Sequence, residues 1–222
     1  MTAATVRRRP DRRQVLLVRH GQTEWNTDGR FQGHCDIALD AVGRAQAVRA
    51  AQALAQLQPS ALVCSDLVRA RDTAQPLVEL TGLPVTADAR LRESNGGRWQ
   101  GLLAAEIEAA FPGQRAAWQR GDAVRPGGDG ELRVEVGTRV AAAVREHLDP
   151  VPAGGLLVVV SHGGSISSGV HALLGLSLQG PRVLSGLSNC HWTVLEEQRG
   201  GGWLLLEHNA FSLPADVVGD ET

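Results

Sequence analysis

Two kinds of hydrophobic pattern alternate along this chain. Short unbroken apolar runs stand at 15–18, 61–64 and 156–160. A run without polar gaps predicts a strand covered on both faces, as in a parallel sheet packed between helices. Longer stretches carry apolar residues at helical spacing instead. Ala41, Ala45, Val48 and Ala55 set that period over 41–57, with Asp40 placed to cap the first turn. A second helix is predicted from Asp66, capped by Ser65, kinked near Pro76 and stopped by Gly82. The segment 84–86 reads as an edge strand, and 100–120 as helix broken at Pro112-Gly113. Glu131 to Leu148 and His162 to Leu174 follow as helices. Two last strands, 191–195 and 203–207, flank a glycine-rich turn and predict an antiparallel pair. Gly21 to Leu39 reads as a long polar loop. The alternation predicts a three-layer α/β/α sandwich with a mostly parallel central sheet, one domain over 14–222. Residues 1–13, with Arg7, Arg8, Arg9, Arg12 and Arg13, read as a basic, disordered tail.

Composition narrows the function. With 222 residues, 43% of them hydrophobic, the chain is long enough for one well-filled core. A net charge of −2 predicts no general affinity for nucleic acid or for an anionic membrane. No apolar run approaches the roughly 20 residues of a membrane helix. No apolar segment follows the basic N-terminus, which therefore does not read as a secretory signal. Cys35, Cys64 and Cys190 are odd in number and widely spaced, so neither a disulfide framework nor a zinc site is expected; a reducing cytoplasm fits. The chain contains no lysine, which removes Walker-type phosphate loops and Schiff-base chemistry. It contains no tyrosine, so no phenol serves as acid or base.

The candidate chemistry sits at strand ends. Arg19-His20-Gly21 follows the first apolar run and Ser161-His162-Gly163-Gly164 follows the last long one. In open α/β sheets the carboxyl ends of neighbouring strands meet at a ligand-binding crevice. Imidazoles and arginine there suit an anion attacked by nitrogen, and phosphate is the obvious one. A lone histidine is usually structural; Arg19 before His20 and the flexible Gly21 after it favour a nucleophile. Arg69, in the first turns of its helix, joins Arg19 as a phosphate clamp, since a guanidinium binds phosphate bidentately. Helical spacing sets Asp66, Arg69 and Thr73 on one face; pairing of Arg69 with Asp66 in solvent is the competing expectation. His162 is expected as a cation that stabilises the transferring phosphoryl group and donates a hydrogen bond to it. Glu93 is the candidate general acid and base, with a surface pair to Arg92 as its alternative. Phe31, Trp99, Leu102 and Trp118 are available to line the pocket mouth, although such residues are more often core. His34, Cys35 and Asp36 lack metal-ligand spacing, His147 and His171 read as structural or exposed helix residues, and His191 and His208 as packed or exposed on the terminal hairpin.

Together these residues resemble the histidine phosphatase superfamily, whose fold is shared with cofactor-dependent phosphoglycerate mutase, over about 15–207. The resemblance implies a phosphoglycerate mutase-like fold, with His20 the phosphorylated nucleophile and Glu93 the proton donor. It makes Arg19, Arg69 and His162 the rest of the phosphate pocket, and adds Asn26, Gln32 and Gly163 to it. It implies no metal and no cofactor, a small-molecule phosphate ester as partner, and a homodimer as one option. Mutases carry Glu-Arg-His-Tyr-Gly where this chain has Glu93-Ser-Asn-Gly-Gly, so the phosphatase branch is the nearer likeness. Within it, 91–102 and 188–193 are most similar to bacterial glucosyl-3-phosphoglycerate phosphatases. A mutase, an α-ribazole phosphatase and, least of all, a non-catalytic phospho-ligand binder are the alternatives. One departure stands out: the branch usually has Gly-Glu-Ser where this chain has Gly130-Glu-Leu132, so a hydroxyl contact is missing.

Overall fold

A computed structural model describes residues 9–181 and 183–212. The three apolar runs become β1 (Gln14–Arg19), β2 (Ala61–Cys64) and, after the edge strand β3 (Val85–Ala87), β4 (Leu156–Ser161). The last two strands are β5 (Trp192–Glu197) and β6 (Trp203–Ala210). They form one sheet in the order β3-β2-β4-β1-β5-β6. Neighbours among β3, β2, β4 and β1 run parallel, whereas β5 and β6 continue the sheet antiparallel. The expected sandwich is thus the observed one.

Alternation along each strand sorts the core into two halves. Leu16, Val18, Leu62, Val158 and Val160 pack with Ala51, Leu54, Ala70 and Leu77. These belong to α2 (Ala41–Gln56) and α3 (Val68–Thr81), between which many of the contacts on this side lie. Val15, Leu17, Val63, Leu157 and Val159 face the opposite way. They meet Val136, Val140 and Val144 of α6 (Arg133–Leu148) and Ile166 and Val170 of α7 (Gly163–Leu174). Each such aliphatic side chain contributes about 1.5–3 kcal/mol by leaving water.

Local chemistry accounts for most boundaries, with three corrections. Asp40 caps α2 through the Gly43 N–H, and Gly82, at φ 70°, ends α3 in the left-handed region. Helix α3 starts at Val68 and runs as a single helix through Pro76. Ser65 Oγ accepts the Leu67 N–H at 3.3 Å just ahead of it, while Asp36, from the loop before α2, accepts the Val68 N–H of its first turn at 2.7 Å. The 21–39 segment is not all loop either. Thr23 and Asn26 form a reciprocal capping box that opens the short α1 (Glu24–Asp28). Of the expected basic tail, residues 1–8 lie outside the described residues. Arg13 is anchored, its guanidinium pairing with Glu197 and donating to the Leu148 and Asp149 carbonyls. Pro112-Gly113 divides α4 (Ala104–Ala110) from α5 (Gln114–Arg120), as the pattern predicts.

Two glycines seat the β1 exit on α2. A Cβ on Gly21 would lie 2.4 Å from the Gly43 carbonyl oxygen, and one on Gly43 2.0 Å from that of Gln22. Backbone meets backbone there, with no flexible side chain to give way. Gly43→Ala is therefore expected to cost about 1–3 kcal/mol of stability by overpacking. Denaturant titration of the variant checks this, and an unchanged midpoint would contradict the close approach.

Candidate active site

Parallel pairing of β1 with β4 levels their ends: Arg19 is in register with Ser161, and the His20 N–H donates to the Ser161 carbonyl. The next residues on the two strands are the two histidines. Their rings lie 5.1 Å apart at 59°.

The His20 ring is buried, and its Nδ1 meets the Gly21 carbonyl at 2.7 Å. A carbonyl only accepts, so Nδ1 carries the proton and Nε2 keeps its lone pair. Burial first, then the positive charges of Arg69 and Arg19, hold this imidazole well below its ordinary pKa of 6.5. The result is a neutral ring with one nitrogen free to attack. Around it, Thr73 accepts the Gly21 N–H, and Asn189 donates its amide to the His20 carbonyl.

Arg69 has no exposed surface. Its Nε–H donates to His162 Nδ1 at 3.1 Å, and its two terminal nitrogens donate to the Cys35 and Gly33 carbonyls. The competing solvent pair with Asp66 is absent: Asp66 precedes the helix and pairs with Arg92. Arg19 donates to the Leu187 carbonyl, while its buried Nε has no hydrogen-bond partner among the described residues. Burial lowers the pKa of both guanidiniums, which still stay charged at neutral pH.

His162 corrects the sequence expectation. Arg69 can only donate, so the His162 Nδ1 that meets it is unprotonated, and Nε2–H donates to Ser65 Oγ at 2.8 Å. Burial, with Arg69 beside it, keeps the ring neutral. His162 is therefore not a cation here. Both its nitrogens are engaged, one by Arg69 and one by Ser65.

Glu93 is not paired with Arg92. Its carboxylate accepts the Gly164 and Ser165 N–H groups at the start of α7, and that of Ser94. A Cβ on Gly164 would fall 2.6 Å from Glu93 Oε1, so the second glycine of Ser-His-Gly-Gly keeps the carboxylate's seat clear. The main chain carrying Glu93 is held by Arg139. Its guanidinium reaches the carbonyls of Arg90, Arg92 and Glu93 and both oxygens of Glu131, while Glu131 also accepts the Asn95 N–H. His34 Nε2 meets the Glu93 carbonyl from the other side at 2.8 Å. Leu132 occupies the cap position of α6 with no side-chain hydrogen bond. Beside it, Glu131 links the Asn95 N–H to Arg139.

One cavity of about 330 Å³ collects these groups. Arg19, His20, Asn26, Gln32, Arg69, Glu93 and Gly163 all line it; His162 does not. Asn26 Oδ1 is engaged by Thr23 and Asn189, which leaves the amide nitrogen as its donor for a ligand. Gln32 Oε1 is buried without a partner among the described residues. Further out the wall is made by Phe31, Trp118, Arg133, Ser168 and His171. Trp99 is core at 1% exposure, and Leu102 lines neither this cavity nor its neighbour. Among the described residues, no three His, Cys, Asp or Glu side chains group as metal ligands, and no helix is long and apolar enough to cross a membrane. Arg139, Ser65, Thr73 and Asn189 support the site in ways that residue patterns did not assign to them. They work largely through backbone carbonyls or through other side chains, and spacing gives no sign of that.

Comparison with known proteins agrees with this geometry. The family description "Histidine phosphatase superfamily (branch 1)" matches residues 15–210. A glucosyl-3-phosphoglycerate phosphatase of Mycobacterium tuberculosis is 44% identical over 190 residues, covering 82% of this chain and 85% of its own. A "Probable phosphoglycerate mutase GpmB" of Yersinia enterocolitica is 35% identical over 199 residues, covering 86% and 90%. The solved structure of a mycobacterial glucosyl-3-phosphoglycerate phosphatase complexed with VO3 superposes with a TM-score of 0.83 at 43% identity, covering 89% of this chain and 99% of that one. The chain belongs to the histidine phosphatase superfamily, branch 1, and is a phosphoric monoester hydrolase.

Proposed function

We propose that this protein hydrolyses a phosphorylated sugar metabolite in two steps, without a metal, through a phosphohistidine on His20. The observation that carries the reading is the neutral His20 ring, Nδ1–H held by Gly21, in the cavity wall shared with Arg19, whose Nε has no partner among the described residues. In the first step His20 Nε2 attacks phosphorus. The P–N bond forms as the ester P–O bond breaks, and Glu93 supplies the proton that the leaving oxygen needs. In the second step Glu93 takes a proton from water, whose oxygen attacks phosphorus and releases phosphate from the ring. Arg19 and Arg69 hold the phosphoryl oxygens throughout, with the amide of Asn26 and the Gly163 N–H completing the cradle. His162 fixes the Arg69 fork. Mycobacterial relatives solved with VO3 and with inorganic phosphate support the reading. Free Cys35, Cys64 and Cys190 suit a reducing cytoplasm.

A screen of phosphorylated sugars for released phosphate tests the activity itself. Turnover that requires a bisphosphoglycerate primer would assign the protein to mutases instead. His20→Ala should lower kcat by roughly 10⁴-fold or more. It should also abolish the acid-labile, alkali-stable phosphoenzyme seen when the unsubstituted protein is quenched mid-reaction.

Glu93→Gln removes the transferable proton and leaves the shape. It should slow sugar phosphates by about 10²- to 10⁴-fold. Nitrophenyl phosphate should be slowed less in the first step, since its leaving group needs no proton. Equal loss of the phosphorylation rate on both, read by rapid quench, would remove Glu93 from the acid role.

The His20 pKa is depressed, so the ring stays unprotonated as pH falls through 6.5, and the nucleophile is lost only at more acid pH. Imidazole nitrogen NMR of the free protein should show the neutral Nδ1–H form of His20 at pH 6.5, and the Nε2–H form of His162. Half-protonation of His20 near pH 6.5 would contradict this account.

A further inference from the structure

The short segment that carries Glu93 lies outside any strand, and side chains do the work of a backbone ladder there. Each of its four carbonyls from 90 to 93 accepts from a side chain. Ser161 Oγ donates to the Leu91 carbonyl at 2.7 Å. Arg139 Nη1 donates to those of Arg90 and Arg92 at 2.6 and 2.7 Å, and Nη2 to that of Glu93 at 2.9 Å. The remaining two N–H groups of Arg139 go to the Glu131 carboxylate, at 2.8 Å each. A guanidinium has no further donors to offer, so Arg139 keeps none for a ligand. Nor does it line the cavity.

Glu131 is fixed in turn. Its carboxylate accepts the Asn95 N–H at 2.8 Å, and its own N–H donates to the Asn95 carbonyl at 2.9 Å. The other end of Glu93 is held elsewhere, its carboxylate on the Gly164 and Ser165 N–H groups of α7. Main chain and acid group are thus anchored to different helices, α6 and α7. Proton transfer needs heavy atoms within about 2.6–3.2 Å of each other. A misplacement of about 1 Å, caused far from the chemistry, can cost about 10²-fold.

We propose that Arg139 is a positioning residue for Glu93: backed by Glu131, it fixes the 90–93 main chain so that the carboxylate meets the leaving oxygen. It touches no reacting atom itself. This rests on the phosphomonoesterase reading above, with Glu93 as the acid, and adds the residue that sets where the acid stands.

The test compares phenyl phosphate, whose leaving oxygen needs a proton, with 4-nitrophenyl phosphate, whose leaving oxygen does not. First-step rates are read by rapid quench for Arg139→Met, Glu93→Gln and the double variant. Arg139→Met keeps a long side chain and deletes its donors. It should slow phosphorylation by phenyl phosphate about 10- to 10²-fold, and by the nitrophenyl ester several-fold less. The double variant should be no slower on phenyl phosphate than Glu93→Gln alone, because an acid that has been removed cannot be misplaced. Arg139→Lys, without the planar fork, should show the same split at smaller size, and carries the comparison if the methionine variant does not fold. A merely structural role would lower the active fraction and slow both esters alike, leaving their ratio unmoved. An equal loss on both esters, no loss on either, or additive losses in the double variant would overturn the positioning role and leave the catalytic reading intact. Absence of the split in Glu93→Gln would remove the acid assignment, and this proposal with it. No phosphoenzyme from either ester in the unsubstituted protein would defeat the phosphohistidine reading itself.

Discussion

The hydrogen-bonded parallel pairing of β1 with β4 is the constraint on which everything else in this molecule depends. The pair sits at the centre of the sheet, apolar on both faces, and its two strands end level. A slip of one residue would turn Val15 and Leu17 into the wrong layer and carry His20 away from His162. Core packing and catalytic geometry are thus enforced by the same register. The crevice beyond the carboxyl ends of the strands is where open α/β sheets bind ligands, and here it gathers Arg19, His20, Arg69 and Glu93.

Arg69 shows how the surroundings convert that placement into a site. A guanidinium with no exposed surface is costly unless its donors are met. Here the partners come from the loop before α2, through the Gly33 and Cys35 carbonyls, and from the β4 exit, through His162. One side chain therefore ties three segments together at the cradle. Burial first, and then this charge, suppress protonation of both histidines. Structure and reactivity share one cation.

Much of this was legible in the chain. Unbroken apolar runs such as 156–160 signal burial on both faces, and the residue that follows each run is then placed by topology. Asp40, Gly82 and Pro112-Gly113 mark their boundaries because their chemistry is local. Legibility failed where a partner came from far away. Ser65 looks like a helix cap and does accept the Leu67 N–H, but its hydroxyl also serves His162, and the first turn of α3 is met by Asp36, in a loop whose path no local rule predicts. The charge state of His162 turned on which nitrogen faces Arg69, a matter of tertiary contact. The short helix α1 was hidden because its capping pair, Thr23 and Asn26, sits in a polar stretch with no apolar period. Trp99 and Trp118 could be read only as core or pocket, since residue type does not separate the two.

The bracing of Glu93 from Arg139 has an implication for how such enzymes diversify. The main chain at Glu93 is tethered through three carbonyl oxygens by a side chain on α6, and the excursion from residue 94 to 132 leaves and returns on either side of that tether. Insertions, deletions or wholesale rewriting of the excursion can reshape the cavity wall while the Glu93 carboxylate stays in place. A lineage can therefore change its diet without relearning its chemistry.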